Sequence, residues 1–328
     1  MMNLAMHSHT LTSASPFASR FAAWLSERFP FANALLFFFI YLSTATVVRA
    51  GYAGAIELSL RDLIGCLITW SFFLLLRILD EHKDYAQDCL NHPQRVLQSG
   101  LIGLRHLKIA GGLALLAQGL WSLALDQQWG ELPGPVSLAW AILLVWTGLM
   151  TKEFFVPTWL NRHLTWYAIS HMLVMPLAVW WLANLALPGA ELSPALLSAM
   201  SLALISGFCF EITRKTKGPE EERESIDSYS RIFGSRGAAL LVLVLVSAML
   251  GNQLWLLEQL LGALPLWALV LLLVVYGLAV RQLLAFIRRP SAALRNKNEA
   301  FVALAMLVGY AVLIAALAVE RGLTFSII

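Results

Sequence analysis

Runs of apolar residues, interrupted by short polar or Pro/Gly-bearing breaks, set the rhythm of this chain. A helix that crosses a bilayer needs about 20 mostly apolar residues. Nine such runs can be read, at roughly 29–49, 61–80, 105–125, 136–153, 164–187, 193–214, 236–257, 265–287 and 300–320. Each predicts a helix. The breaks alternate in character. GYAGAIELSLRD, DQQWGELPGP, LPGAELSP and EQLLGALP are short and almost free of basic residues. The others are the stretch from Asp80, KEFFVPTWLNRH, EITRKTKGPEEERESIDSYSRIFGSRG and FIRRPSAALRNKNE, which are rich in charge of both signs.

Basic residues collect on the cytoplasmic side of membrane proteins. Placed on the nine-span reading, 20 of the 23 Lys and Arg residues fall on one side, together with the N-terminus; Arg49, Arg61 and Arg321 fall on the other. The N-terminus is therefore expected in the cytoplasm and, after an odd number of spans, the C-terminus outside. Composition agrees: 59% of the 328 residues are apolar, 13% are charged, and the mean hydropathy is +0.71. A soluble domain carries about 25% charged residues. Residues 1–28 read as a cytoplasmic tail ending in a short helix on the membrane surface. No long apolar run precedes the first arginines, so a secretory signal peptide is not expected. His7 and His9 in this tail read as solvated. Cys66, Cys89 and Cys209 are scattered and read as ordinary thiols, not as a zinc site or a disulfide framework.

The stretch DEHKDYAQDCLNHPQRVLQSG, Asp80–Gly100, follows directly on the second apolar run. In a helix, residues four apart share a face and lie about 6 Å apart along the axis. Asp80, Asp84 and Asp88 thus form one acidic stripe, and like charges so placed repel unless a cation sits among them. Ionisable groups at the end of a membrane span are costly and usually functional. A divalent metal held by carboxylate oxygens is the expected occupant. A second charged segment follows the sixth run. Glu211 and Lys215 are i,i+4 partners there; Gly218-Pro219 ends the helix, and Glu220, Glu221, Glu222 and Glu224 follow. A lone acidic run is most often only a solvated surface. Two carboxylate-rich helix ends with Arg and Lys among them can instead hold Mg²⁺ together with a diphosphate.

The pattern DExxDxxxDxxxHPxRxxxxG resembles the first aspartate-rich motif of the UbiA superfamily of intramembrane prenyltransferases. Asp80 stands at the usual Asn, Glu81 at the first Asp, Asp84 and Asp88 at the next two, and Arg95 at the arginine, with Val96 where proline is usual. The Glu211–Tyr229 segment resembles the second motif by its place in the chain, glutamates replacing the usual DxxxD. The resemblance implies an all-α membrane protein, residues 29–328 forming a single domain of nine helices around a central cavity. It implies transfer of an isoprenyl chain from its diphosphate to an aromatic or otherwise lipophilic acceptor. Asp80, Asp84 and Asp88 would hold Mg²⁺, and Glu211 and Glu221 a second ion. Asp84, Asp88 and Arg95 would be catalytic; Arg95, Arg214, Lys215 and Lys152 would bind the diphosphate. A bacterial inner membrane, with the site facing the cytoplasm, is the expected setting.

Several other residues enter as candidates. Lys152-Glu153 and Asn161-Arg162-His163 lie in the link after the fourth run, on the side of both motifs, as pocket-mouth residues or plain interface anchors. His171 lies inside the fifth run near Tyr167 and Pro176, and either meets a polar acceptor head or bonds a neighbouring helix. Pro157 and Pro176 read as kinks, and most of the twelve tryptophans as interfacial belts. No GxxxxGK[ST] or HExxH is present. Basic residues follow the membrane side and form no continuous stripe, so no nucleic-acid partner is expected. The rival reading is a transporter whose acidic cluster binds a translocated cation; it would place carboxylates near mid-membrane on broken helices.

Overall fold

The computed structural model describes residues 11–52, 56–223 and 228–326. His7, His9 and Glu224 lie outside the described residues. In chain order the helices are α1 (Phe17–Arg28), α2 (Ala32–Tyr52), α3 (Leu60–Lys83), α4 (Tyr85–Asn91), α5 (Leu104–Trp129), α6 (Pro135–Thr151), α7 (Pro157–Arg162), α8 (Leu164–Met172), α9 (Val174–Ala186), α10 (Pro194–Arg214), α11 (Tyr229–Leu261), α12 (Leu266–Arg288) and α13 (Ala292–Arg321). Eight segments, with α8 and α9 counted together as Leu164–Ala186, are long and apolar enough to cross a membrane by length and composition. The fourth expected span is the shorter α6, of 17 residues.

Local chemistry fixes the helix ends. Asp126, fully buried near the end of α5, accepts N–H bonds from Gly134, Val136 and Ser137 at 2.9–3.0 Å. It caps α6 from the neighbouring helix, satisfying donors that no apolar surround could. Ser228 and Ser291 cap α11 and α13. Both helices therefore start seven or eight residues before the apolar runs at 236 and 300: their first turns are polar, so a hydropathy window cannot see them. Gly234, at φ 70°, breaks the helical path early in α11. Pro176 in α9 removes an N–H and crowds the carbonyl of residue 172, and the fifth span breaks there, between Met172 and Val174.

Two short strands depart from an all-helical reading. β1 (Ile56–Ser59) and β2 (Leu323–Ser326) pair in parallel, with Ile56 opposite Leu323. Helix α2 packs on α3, α9, α10 and α13, bringing the first and last spans side by side. Tyr41, Phe72 and Trp181 are buried in the core. Leu113, Val244, Val274 and many other large apolar side chains face outward, as lipid contact requires. Helix α1 docks: Trp24 is fully buried and packs in a cluster with Leu74 and Ile78 of α3 and with Leu97 and Ile102 of the link after α4.

Candidate functional site

The C-terminal ends of helices α3, α6 and α10 meet around one cavity. Each finishes in a lysine: Lys83 is the last residue of α3, Lys152 caps α6 and Lys215 caps α10. Unpaired carbonyls make a helix C-terminus the negative end of its dipole, which favours a cation there. The three lysines line this cavity of about 550 Å³. Asp84, Gln87, Glu153, Asn161 and Tyr167 complete its polar wall.

Two of the lysines are held by neighbouring side chains. Lys83 donates to the Tyr167 hydroxyl at 2.7 Å, lies 3.8 Å from Glu153 and sits 5.3 Å from the centre of the Tyr167 ring. Lys215 pairs with Glu211 at 2.6 Å and sits 5.7 Å from the same ring. Glu153, Phe154 and Phe155 have φ of 47°, 52° and 60°. Three consecutive side-chain-bearing residues in the left-handed region cost about 1–2 kcal/mol each. Such strain concentrates at functional sites. Here the tight turn between α6 and α7 places both Lys152 and Glu153 on the cavity wall.

The acidic stripe is split. Helix α3 ends at Lys83 and α4 starts at Tyr85, leaving Asp84 at the bend, exposed and on the cavity wall. Asp80 lies deeper on α3. Neither Asp80 nor Asp84 has a side-chain hydrogen bond or ion pair among the described residues. Asp88 turns elsewhere, pairing with Arg95 at 2.9 Å and lying 3.5 Å from Arg28. Glu81 is fully buried, its Oε1 receiving Arg28 Nε at 2.5 Å and Arg77 Nη2 at 2.6 Å. Asp88 and Arg95 therefore do not line the cavity as expected; they belong to an ion-pair network that fastens α1 to the motif.

The second segment differs more. Glu211 is held by Arg214 at 2.9 Å and Lys215 at 2.6 Å. Arg214 borders a separate crevice with Glu299 rather than the cavity. Glu220 accepts the N–H of Ala292 at 2.5 Å, and Glu222 accepts Ser228 Oγ at 2.8 and 3.0 Å. Glu221 pairs with Arg295 at 2.9 Å and accepts the Gly218 N–H at 3.1 Å. The glutamate run anchors its loop to the start of α13, and Glu211 and Glu221 are each engaged by basic side chains of their own surroundings. Among the described residues no three His, Cys, Asp or Glu side chains form a group able to hold a metal ion. Of the expected residues the cavity gathers Asp84, Lys152, Glu153, Asn161 and Lys215; sequence reasoning gave no role to Lys83, Gln87 or Tyr167. Lys83 carried a signal, a cation between two aspartates at the end of a span.

Partial burial disfavours the charged form of Glu221, but the bonds from Arg295 and the Gly218 N–H outweigh it and hold the carboxyl below the ordinary glutamate value. A depressed folded-state pKa contributes stability that is complete above the unfolded value of about 4.3 and fades as pH falls through the folded one. Limited proteolysis of the loop between α10 and α11 should accelerate below about pH 4.5. In Glu221→Gln it should already be fast at pH 7 and change little with pH; equal protection of both proteins at pH 7 would contradict the anchor.

No protein-family model and no curated protein matches the chain. A solved structure described as "Structural and mechanistic insights into the biosynthesis of Digeranylgeranylglyceryl phosphate synthase in membranes" does, with a TM-score of 0.61 over 91% of this chain and 98% of that one. Identity is 15%, so the likeness is one of architecture. The chain therefore shares the fold of that membrane synthase, the helical membrane architecture that the resemblance of the Asp80–Gly100 motif implied.

Proposed function

We propose that this protein is an integral membrane prenyltransferase that moves an isoprenyl chain from its diphosphate to a lipophilic or aromatic acceptor. The observation that carries the proposal is the convergence of Lys83, Lys152 and Lys215 on one cavity beside Asp84, in a fold shared with a membrane synthase. A diphosphate entering the cavity exchanges its water for three ammonium groups. Charge on the leaving oxygen grows as the allylic C–O bond breaks, and ammonium groups fixed beforehand stabilise it more than they stabilise the bound substrate. Lys83 would give up Tyr167 and Glu153 for a phosphate oxygen. Leu76 and Leu79 of α3 and Met150 of α6, next to the cavity, would help keep water from the allylic cation.

The donor set fits one Mg²⁺ and does not fit two. Mg²⁺ commonly takes one or two carboxylates plus substrate phosphate oxygens. Asp80 and Asp84 are the two expected carboxylates that no cation already claims, and they would hold it. When bound, the ion would add Lewis-acid stabilisation of the leaving diphosphate. We place the N-terminus and the cavity on the cytoplasmic face of a bacterial inner membrane, from the asymmetry of the basic residues. A cation transporter is not favoured: the cavity's charges stand at helix ends, not on broken helices at mid-membrane.

Purified protein with Mg²⁺, radiolabelled isoprenyl diphosphates and a lipid extract as acceptor should release diphosphate and label lipid. Asp84→Ala should abolish this while expression stays intact, because Asp84 makes no side-chain contact that the fold needs. Normal turnover in that variant, or metal flux into proteoliposomes that the same substitution removes, would refute the assignment.

A further inference from the structure

Next to the lysine cavity lies a small void of about 10 Å³, bounded by Leu76, Asp80, Lys83, Met150 and His171 among others. Lys83 belongs to both spaces. Leu76, Asp80 and Lys83 share one face of α3, so the void lies along that face on the membrane side of the cavity. A diphosphate among the lysines would leave its first carbon near this level.

His171 is the group in that void whose chemistry is unfulfilled. It stands one residue before the end of α8 and is buried. Its Nδ1 lies 2.8 Å from the Tyr167 carbonyl oxygen, which can only accept. That contact places the proton on Nδ1 and leaves the lone pair on Nε2. Nε2 is buried and has no hydrogen-bond partner. The ring cannot easily turn to find one: it stacks on Tyr167 at 3.9 Å and 14°, with the Phe154 ring set edge-on at 6.2 Å. A buried acceptor held in place without a donor is expensive unless a ligand supplies the donor.

We infer that His171 Nε2 receives the acceptor substrate, accepting the hydrogen bond of its nucleophilic hydroxyl and then its proton. The inference rests on the prenyltransferase reading and adds the class of acceptor, a molecule that presents an O–H at the reacting atom. The balance is complete. The allylic C–O bond breaks and its electron pair leaves with the diphosphate. An oxygen lone pair of the hydroxyl forms the new C–O bond, and the hydroxyl proton passes to Nε2 and later to water. Tyr167 serves both halves of the site, since its hydroxyl holds Lys83 and its carbonyl sets the tautomer of His171. Movement of Lys83 to a phosphate would open the void just as the donor arrives.

Two readouts separate ionisation of the donor from transfer. An isoprenyl diphosphate labelled with ¹⁸O at the bridging oxygen scrambles the label whenever the C–O bond opens and recloses, with no acceptor needed. Transfer is read as label appearing in a lipid extract. In His171→Ala, scrambling should stay within about threefold of wild type while transfer falls about 100-fold, the smaller end of what a positioned base supplies. Added imidazole, which fits the space vacated by the ring, should restore part of the transfer. His171→Gln, polar and closer in size, serves where the alanine variant does not accumulate, and should show the same split. Transfer within a few-fold of wild type in either variant, or scrambling and transfer lost together, would overturn the inference. A wild-type protein that neither scrambles nor transfers would instead refute the parent reading.

Discussion

Lys83→Met is expected to lower isoprenyl diphosphate turnover by about 100- to 1,000-fold, the usual cost of removing one fixed group that stabilises developing negative charge. Folded protein should accumulate normally. The variant keeps the length of the side chain and its apolar stem against α6 and α8. It removes only a 3.8 Å contact to Glu153 and the hydrogen bond to Tyr167, at a site open to a large cavity. At 3.8 Å the pair with Glu153 is a loose one, and it faces the open cavity, so its loss should cost the fold little. The loss should therefore appear in kcat with thermal unfolding unchanged. Because Lys83 shares Tyr167 with Lys215, a Tyr167→Phe variant should weaken substrate binding modestly through looser placement of both lysines. Measured turnover in Lys83→Met within fivefold of wild type would mean that the diphosphate sits elsewhere.

Lys83 stands between two aspartates at the end of an apolar run, yet its place in the cavity depends on packing that the sequence does not show. Apolar periodicity shows where helices run, since lipid or core demands it; every expected run coincides with a helix or, for the fifth, a helix pair. Ends are harder. The polar first turns of α11 and α13, capped by Ser228 and Ser291, lie outside any apolar window. The β1–β2 pair joins residues from opposite ends of the chain, a contact with no local signal. The site was legible as a place and not as a constellation. Asp80 and Asp84 differ by 40° around a helix; Glu81 and Asp88, seven apart, differ by 20° on another side. Which side faces the cavity depends on the position of Arg28, more than fifty residues away in sequence. In the second segment Glu211 looks equally available on paper, and only packing reveals that Lys215 and Arg214 already neutralise it.

Arg28 leads to the largest expected effect on stability. Glu81 is fully buried between two guanidinium groups, Arg28 at 2.5 Å and Arg77 at 2.6 Å. Removing one partner of a buried pair costs about 3–5 kcal/mol, because the charges left behind have little solvent to replace it. Glu81→Ala leaves two such charges, and a cost of that size approaches the whole stability of a marginal domain. Arg28→Ala should be milder, since Glu81 keeps Arg77 on the same helix and Asp88 keeps Arg95. What Arg28→Ala does release is α1, whose remaining ties to the motif are Trp24 in its apolar cluster, Glu27 bonded to the Val96 N–H and Arg20 bonded to the Leu101 carbonyl. Thermal unfolding followed by tryptophan emission should rank wild type above Arg28→Ala and both above Glu81→Ala. Trypsin should cut within residues 17–28 of Arg28→Ala well before the bundle melts. Equal melting of Glu81→Ala and wild type would show that Glu81 is not the buried hub these distances describe. A reversed order of the two variants would place the network's weight on α1 alone. The same network holds α4, and with it the bend at Asp84, so a slow melt of Arg28→Ala should carry a loss of turnover that precedes unfolding.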